Sequence, residues 1–391
     1  MKHSTDRILT THVGSLPRPP AVFELLRRKE DEQPVDAAEF EAVIGAAVRD
    51  IVARQRSIGI DVVSDGEMSK ASYATYVKDR LSGFGGNSER KAQADLRDYP
   101  DLRKRLAAMT GPQAFRRPLC IGEVQRTNAE PLRRDLARFR AALEKTPAVD
   151  AFVNAASPGV VTSFLPNRHY PTTDAYIDAV SAAMKQEYEP VVAAGFVLQV
   201  DCPDLAMSRH TGFQELSEAE FLRQAEHQVE ALNEALANVP ASSIRMHICW
   251  GNYEGPHDHD IGLEKILSII LKAKPQAISF EASNPRHEHE WAVWAEAKIP
   301  EEKILIPGVL DTLTNVVEHP ELVAQRLCKF ADIVGRERVI AGSDCGFGTA
   351  AGHGKLDPEI SFKKLSAMVE GAAIASKRLW SAGPRGTLHR A

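Results

Sequence analysis

The sequence predicts an α/β protein in which one domain, residues 1–391, forms a (β/α)8 barrel. One pattern recurs along the chain: an amphipathic helix, a glycine, then a short run rich in β-branched residues. This alternation indicates parallel βαβ units, hence a doubly wound sheet or a barrel. The candidate strands are 9–14, 61–65, 119–124, 151–155, 196–201, 244–249, 277–281, 304–309 and 339–343. Residues 83–130 are predicted to form an excursion from the barrel, with 119–124 in a hairpin. Eight strands therefore remain for the barrel.

The helices between these strands are predicted from apolar spacing and from end signals. Residues 39–57 carry apolar side chains at helical spacing, and Gly59 suits the end of that helix. A second helix is predicted to begin at Asp174. Ser217 and Glu220 have the spacing of a capping box, so a third helix is predicted to begin there. Further helices are predicted to begin near Gly262, at Pro320 and at Asp357.

Composition and charge exclude several classes of function. The chain is 43% hydrophobic and 26% charged, which is typical of a globular protein. Its net charge of −5 provides no basic surface for nucleic acid or for an anionic membrane. No apolar stretch approaches the length of a membrane helix, about 20 residues. The polar segment 1–6 does not resemble a signal peptide, so we expect a cytoplasmic protein. Five scattered cysteines predict no disulfide framework.

Polar side chains follow seven of the eight predicted barrel strands. In an α/β barrel the carboxyl ends of all strands meet at one rim, where active sites lie. One polar strand end means little, but seven together predict a catalytic mouth. The polar ends are Thr11 to Arg18, Asp65-Gly66-Glu67, Ser157-Pro158-Gly159, Asp201-Cys202-Pro203, His247-Ile248-Cys249, Glu281 and Asp344-Cys345-Gly346.

Four of these strand-end residues have the chemistry of a metal site. His247 and Cys249 stand two apart on a strand, so their side chains project from one face. Glu281 ends the next strand and Cys345 ends the last. Two thiolates, an imidazole and a carboxylate suit Zn²⁺. The alternative is that the cysteines are small buried hydrophobes, which is common for this residue type.

The order of these motifs resembles the catalytic C-terminal barrel of the cobalamin-independent methionine synthase family. The resemblance covers nearly the whole chain and implies a (β/α)8 barrel with one zinc. It assigns the zinc ligands to His247, Cys249, Glu281 and Cys345. The motifs that carry it are Thr11-His12-Val13-Gly14-Ser15-Leu16-Pro17-Arg18, Asp65-Gly66-Glu67, Asp201 with Pro203, His247-x-Cys249, Glu281, Gly308-Val309-Leu310-Asp311 and Asp344-Cys345-Gly346.

The resemblance also implies where homocysteine binds. Gly14 and Ser15 match positions that face the substrate carboxylate, whereas Glu67 and Asp201 match positions that hold its ammonium group. Two carboxylates suit an amino-acid thiol, since a sulfonate thiol would require Arg or Lys instead. Supporting or covering positions are assigned to His12, Arg18 and Asp344, and Arg18 suits an anionic substrate group.

Three departures from the family pattern concern the methyl donor. Cys202 replaces an acidic residue before the proline that follows the fifth candidate strand, 196–201. Leu313 stands where the family has its proton-donating His, and residues 157–164 contain no Trp to stack on a folate ring. The proton donor is therefore unassigned. Weak candidates are Asp311, His257 and His259.

Three functions remain open on the sequence alone. The first is a homocysteine S-methyltransferase of methionine biosynthesis. The second is another thiol transferase, either similar to epoxyalkane:coenzyme M transferases or using a non-folate methyl donor. The third is a non-catalytic protein that binds zinc or thiols. The expected partners are a small-molecule thiol and a methyl or alkyl donor, with no nucleic acid and no membrane. An oligomer is possible.

Overall fold

Helices and strands alternate through the parts of the chain that the computed structural model describes, residues 1–72, 74–89, 92–110, 117–348 and 356–381. The strands are β1 (Leu9–Thr10), β2 (Val62–Val63), β3 (Phe84–Gly85), β4 (Leu119–Cys120), β5 (Asp150–Ala156), β6 (Val197–Asp201), β7 (Ile244–Ile248), β8 (Ala277–Phe280), β9 (Ile304–Pro307) and β10 (Ile340–Ala341). The helices are α1 (Pro20–Glu30), α2 (Ala37–Ile58), α3 (Ala94–Asp98), α4 (Pro100–Thr110), α5 (Glu130–Lys145), α6 (Pro158–Phe164), α7 (Thr173–Ala193), α8 (Glu218–Ala235), α9 (Leu263–Ile270), α10 (Trp291–Glu296), α11 (Pro320–Val334) and α12 (Pro358–Ser381).

Eight of the strands close into a parallel barrel, which confirms the predicted fold. Six strands pair in the order β2, β5, β6, β7, β8, β9, and β1 pairs with β10. Parallel bridges Leu305–Val339 and Gly308–Gly342 join β9 to β10. A backbone hydrogen bond of 3.1 Å from Asp61 N to Thr10 O joins β1 to β2. All eight carboxyl ends therefore meet at one rim.

The barrel interior holds a buried polar layer below that rim. The side chain of Arg245, on β7, is fully buried, and its guanidinium carbon lies 3.4 Å from the centre of the Phe152 ring. It donates to Gln199 Oε1 at 2.6 Å and to Thr11 Oγ1 at 2.9 Å. Because a buried charge needs partners, these bonds tie three strands together and fix the orientation of Gln199.

The helix ends follow local signals at most of the predicted positions. Gly59 ends α2 with φ +102°, the left-handed conformation that glycine adopts readily. Ser217 and Glu220 form the predicted capping box of α8. The prediction at Asp174 was wrong, because Thr172 caps α7 by accepting a hydrogen bond from Ala175 N.

The excursion after β2 contains an antiparallel hairpin and two helices. Strands β3 and β4 pair with each other and not with the barrel, and helices α3 and α4 lie between them in the chain. Residues 90–91 and 111–116 of the excursion lie outside the described residues. Within the described part of the chain, no helix is long and apolar enough to cross a membrane.

A buried ion network anchors the start of the excursion to the outer helices. Arg80 contacts Asp135 on α5 at 2.9 Å and Glu187 on α7 at 3.0 Å, and the Arg80 side chain is 4% exposed. Arg126, beyond the hairpin, also contacts Glu187, at 2.7 Å. Both ends of the excursion are thus fixed to α7 through Glu187, and its start is fixed to α5 as well.

Candidate active site

Three of the four predicted metal ligands converge at the barrel rim. His247 lies on β7, Cys249 follows that strand, and Cys345 follows β10. Their ligand atoms all lie within 4.8 Å of one another, and the three side chains are buried. The sulfur atoms of Cys249 and Cys345 are 3.6 Å apart. Because β7 and β10 are not neighbours in the barrel, only its closure brings these thiols together.

Glu281, the fourth predicted ligand, has both carboxylate oxygens engaged elsewhere. Oε1 accepts from Trp250 N and Oε2 accepts from Asn284 Nδ2, each at 2.7 Å. Glu281 is buried and directly follows β8. It is not one of the three residues whose ligand atoms converge. Its assignment as a ligand therefore stays a prediction.

Electrostatics favour a neutral His247 imidazole and a protonated Cys249 thiol in the metal-free cluster. Burial lowers the pKa of His247 to about 3, so its ring is neutral and has a free lone pair. The hydrogen bond with Cys345, together with burial, raises the pKa of Cys249 well above its usual value. A bound cation reverses this preference, since it stabilises thiolate.

The donor set fits a thiophilic divalent metal ion. Neither ring nitrogen of the buried His247 has a hydrogen-bond partner in the described structure. Leaving such a buried polar atom unsatisfied costs about 1–3 kcal/mol, and ligation would satisfy it. Gly251 N donates to Cys249 Sγ at 3.3 Å, a bond that supports a thiolate.

The two predicted ammonium-binding carboxylates are both buried beside this cluster. Asp201 ends β6, and its register partner on β7 is His247. Gln199 Nε2 donates to Asp201 at 2.7 Å and Asn154 Nδ2 donates at 3.1 Å. Burial raises the pKa of Asp201 to about 6 and that of Glu67 to about 7. Mutual repulsion adds to the shift of Glu67, so a cation bound between them would stabilise both.

Two buried cations border Glu67. Arg18 donates to Glu67 O at 3.1 Å and to Gly348 O at 2.5 Å. Lys70 Nζ donates to Asn154 O at 2.8 Å, and its charge lowers the pKa of Glu67. The pocket thus combines carboxylates with cations, a set that suits a zwitterion.

The first strand-end motif packs directly against the loop that carries Cys345. Ser15 Oγ lies 2.0 Å from the position where a Cβ on Gly346 would stand, so any larger residue there would force Ser15 to move. Gly14 has φ +142°, and His12 Nδ1 accepts from Gly14 N at 3.1 Å. His12 Nε2 therefore carries the proton that is donated to Gln55 Oε1 at 2.8 Å. His12 supports the turn and does not reach the cluster's ligand set.

Asp344 and Asp311 both shape backbone turns. Asp344 accepts from the backbone nitrogens of Ala282 and Ser283 and from the side chain of Asn284. It therefore holds the segment that carries Glu281. Asp311 accepts from Leu313 N at 2.8 Å and is only half-buried.

The two candidate histidines after β7 differ in environment. His257 is buried, and its ring nitrogens face Asp260 Oδ2 and Tyr253 O, both at 3.0 Å. His259 is exposed and contacts Asp98 of α3 at 2.7 Å. Of these two histidines, only His257 is buried.

Sequence reasoning missed several residues that complete this region. Asn154, Gln199 and Asn284 hold the carboxylates, but single amides carry no recognisable spacing. His210, Asp260 and His287 form a buried group with His257. The structure places His287 in ion pairs with Asp260 and Glu290.

The fold and site together define a (β/α)8 barrel protein in which two thiols and one imidazole converge at the carboxyl rim. The chain belongs to the family described as the cobalamin-independent synthase, catalytic domain, whose pattern matches residues 8–373. It is 25% identical over 378 residues to a methionine synthase of Sulfolobus acidocaldarius, covering 96% of this chain and 94% of that protein. A methionine synthase of Saccharolobus solfataricus is 25% identical over 375 residues, covering 95% of each chain.

Solved structures share the fold. A B12-independent methionine synthase from Shewanella sp. W3-18-1, in complex with selenomethionine, superposes with a TM-score of 0.73 at 22% identity. That match covers 96% of this chain and all of the other. A putative enzyme of the same kind from Listeria monocytogenes gives a TM-score of 0.64 at 17% identity, covering 94% of this chain and 98% of the other.

Proposed function

We propose that this protein is a zinc-dependent homocysteine S-methyltransferase that forms methionine in the cytoplasm. The observation that carries the proposal is the convergence of His247, Cys249 and Cys345 beside the buried carboxylates Glu67 and Asp201. The family match over residues 8–373 and the methionine synthases among its relatives support it.

Zinc is the metal that this donor set favours. Two thiolates and one imidazole are soft and borderline ligands, and Zn²⁺ accepts them in tetrahedral geometry. Bound there, zinc would lower the pKa of an incoming thiol so that it binds as thiolate at neutral pH. Glu281 is the candidate for the fourth ligand when no substrate is bound. The substrate sulfur would take that position when it arrives.

The charged side chains beside the metal ligands suit the binding of an amino acid. Glu67 and Asp201 would hold the substrate ammonium group, with Asn154 and Gln199 fixing the orientation of Asp201. Arg18 Nη2, which has no hydrogen-bond partner in the described structure, lies in the same region and suits the substrate carboxylate. Holding both ends of the amino acid would aim its side-chain sulfur in a single direction, which reduces the entropy lost in the reaction step.

The chain's own residues then have separate roles in transfer. Gly251 N would steady the sulfur of Cys249, and Trp250 N and Asn284 would hold Glu281 away from the arriving substrate. The substrate sulfur attacks the methyl carbon in line, and the leaving group departs on the opposite side. A basic leaving group would need a proton from this chain.

A sulfonate thiol is the second candidate substrate, because the side chains of Arg18 and Lys70 are both buried beside Glu67. The test compares homocysteine with coenzyme M as methyl acceptors, with methylcobalamin as donor. We expect methionine formation, lost in Cys249→Ser and kept in Cys120→Ser, whose sulfur lies in the hairpin. Methylation of coenzyme M alone would assign the second candidate. Methylation of neither thiol would contradict the proposed function.

A further inference from the structure

Asp260, in the loop after β7, lies at the centre of a buried group of histidines. His257 Nδ1 and His287 Nε2 lie 3.0 and 3.1 Å from Asp260 Oδ2, and His210 Nδ1 lies 3.1 Å from Oδ1. The four side chains are between 1% and 9% exposed. None of them is among the three converging residues His247, Cys249 and Cys345, which we call the thiol cluster. This group, which we name the Asp260 group, is thus a carboxylate surrounded by imidazoles.

The hydrogen bonds of His257 favour its protonated form. Nδ1 faces Asp260, and Nε2 faces the carbonyl of Tyr253, so both nitrogens face acceptors. An imidazole in that situation carries two protons. Burial lowers the pKa of His257, but the hydrogen bond and charge of Asp260 outweigh it and raise the pKa above its usual value.

Gly251 lies between His257 and the Cys249 sulfur of the thiol cluster. Gly251 N donates to Cys249 Sγ at 3.3 Å. A Cβ added to Gly251 would stand 3.5 Å from His257 Cε1 and 2.9 Å from the ring of Tyr253. The imidazole is therefore packed against the residue that touches the sulfur.

The backbone at His257 is held in an uncommon conformation. Its φ is +54°, which few residues other than glycine adopt. Asp95 Oδ2, from α3 of the excursion, accepts from His257 N at 3.1 Å and from the Tyr253 hydroxyl at 2.5 Å. Strain of this kind persists where surrounding contacts impose it, and it is concentrated at functional sites.

We propose that His257 donates the proton that the leaving group takes up during alkyl transfer. This inference rests on the proposed function. The sulfur–carbon bond forms as the bond from carbon to the leaving atom breaks. The electron pair of the broken bond stays on the leaving atom and takes the Nε2 proton of His257. The proton lost by the substrate thiol passes to solvent, and solvent returns one to His257, so the overall reaction is balanced.

The other histidines are less suited to this role. His287 has carboxylates on both nitrogens, Asp260 at 3.1 Å and Glu290 at 2.9 Å, which hold its protons more firmly than a carbonyl does. His259 is exposed and paired with Asp98. The titratable and charged groups that surround His257 are Asp260, Tyr253, Asp95, His210 and Glu281.

The test uses the zinc-loaded full chain, homocysteine and two kinds of donor. 5-Methyltetrahydrofolate and epoxypropane leave behind a basic nitrogen or oxygen that needs a proton, whereas methyl iodide releases iodide. The variant is His257→Asn, since asparagine tolerates positive φ, and the matched control is His259→Asn. We expect single-turnover rates with the basic donors to fall about 10²–10⁴-fold in His257→Asn. Methyl iodide rates, homocysteine affinity and zinc content should match the unaltered protein.

Several outcomes would overturn the inference. Equal losses with every donor would indicate a structural role for His257, and unchanged rates would remove it from the reaction. A loss in His259→Asn alone would assign the proton to the surface histidine. If the unaltered protein used methyl iodide but neither basic donor, no acid would be present. If the unaltered protein alkylated homocysteine with none of the three donors, the proposed function would fail as well.

Discussion

Arg18 Nη2 lies 3.6 Å from Glu67 Oε2, and neither atom has a hydrogen-bond partner within the described structure. The two side chains are 3% and 4% exposed. Buried polar atoms without partners cost about 1–3 kcal/mol each. A guanidinium and a carboxylate left incomplete side by side indicate that a zwitterionic ligand completes them, which supports an amino acid as the substrate.

The first prediction concerns the metal. We expect one zinc per chain, held by His247, Cys249 and Cys345, with Glu281 as the fourth ligand. Replacing Cys345 with Ser removes one of two thiolates, so most zinc should be lost. The control is Cys120→Ser, because Cys120 is buried in the hairpin. Metal analysis of the purified proteins decides the matter, and full zinc occupancy in Cys345→Ser would exclude the site.

The second prediction separates substrate binding from metal binding. Asp201→Asn keeps the size of the side chain but removes the charge that would pair with the ammonium group. We expect homocysteine to bind roughly tenfold more weakly or worse, with zinc content unchanged. Calorimetric titration measures the affinity. A fall in zinc content instead would mean that Asp201 is a metal ligand.

The third prediction concerns pH. Because burial raises the pKa of Glu67 from 4.5 to about 7, this carboxyl is uncharged in the empty pocket below that pH. An ammonium group prefers the ionised form, so methionine affinity should rise as the pH passes upward through about 7. The same pKa shift gives folding stability the opposite pH dependence from ligand affinity. Between pH 4.5 and 7 the unfolded chain binds fewer protons at this group, so its contribution to stability falls as pH rises.

Glu67→Gln is the test of that assignment. The variant should bind methionine weakly and with less dependence on pH, measured by titration from about pH 5.5 to 8. Methionine is the appropriate probe because it has no thiol whose ionisation would add to the effect. If Glu67→Gln retained the full pH dependence, another group would be responsible.

The fourth prediction concerns the methyl donor. Helix α6, at 158–164, offers no Trp to stack on a folate ring, and Leu313 replaces a histidine. Even with His257 supplying the proton in place of that histidine, catalysis needs the donor held in line with the sulfur, and residues 158–164 provide no aromatic indole on which the folate ring could stack. We therefore expect weak or absent turnover with long-tailed methyltetrahydrofolate and faster methylation by methylcobalamin. Robust turnover with the folate and none with methylcobalamin would refute this prediction.

The fifth prediction concerns stability. Arg80→Ala would leave Asp135 and Glu187 as buried charges without that partner, so we expect a loss of about 3–5 kcal/mol in unfolding free energy. The control is Arg133→Ala on α5, whose partner Glu130 lies at the surface, and it should change little. Chemical denaturation measures both. Equal effects would show that the buried network contributes nothing specific.

The fold and most of the cluster could be predicted because their signals are local. Apolar spacing, capping residues such as Ser217 and C-terminal glycines such as Gly59 act within a few residues of each helix end. Parallel strands bring all their carboxyl ends to one rim, so residues at strand ends, such as His247 and Cys345, could be grouped without knowing any distance. Thr172 and Asp174 show where local sequence signals are insufficient. Either side chain could cap α7, and the backbone conformation at Thr172 decided which one does.

Only the tertiary structure decided how the grouped side chains are partnered. Asp95 accepts a hydrogen bond from His257 N although 162 residues separate the two in the sequence. His287 and Asp260, which are 27 residues apart, are also in contact. No spacing in the chain encodes such bonds, because they depend on where the excursion and the loops fold back over the rim. The sequence by itself thus determined which chemical groups stand at the mouth of the barrel. Packing determined their protonation, because burial and partner choice set each pKa.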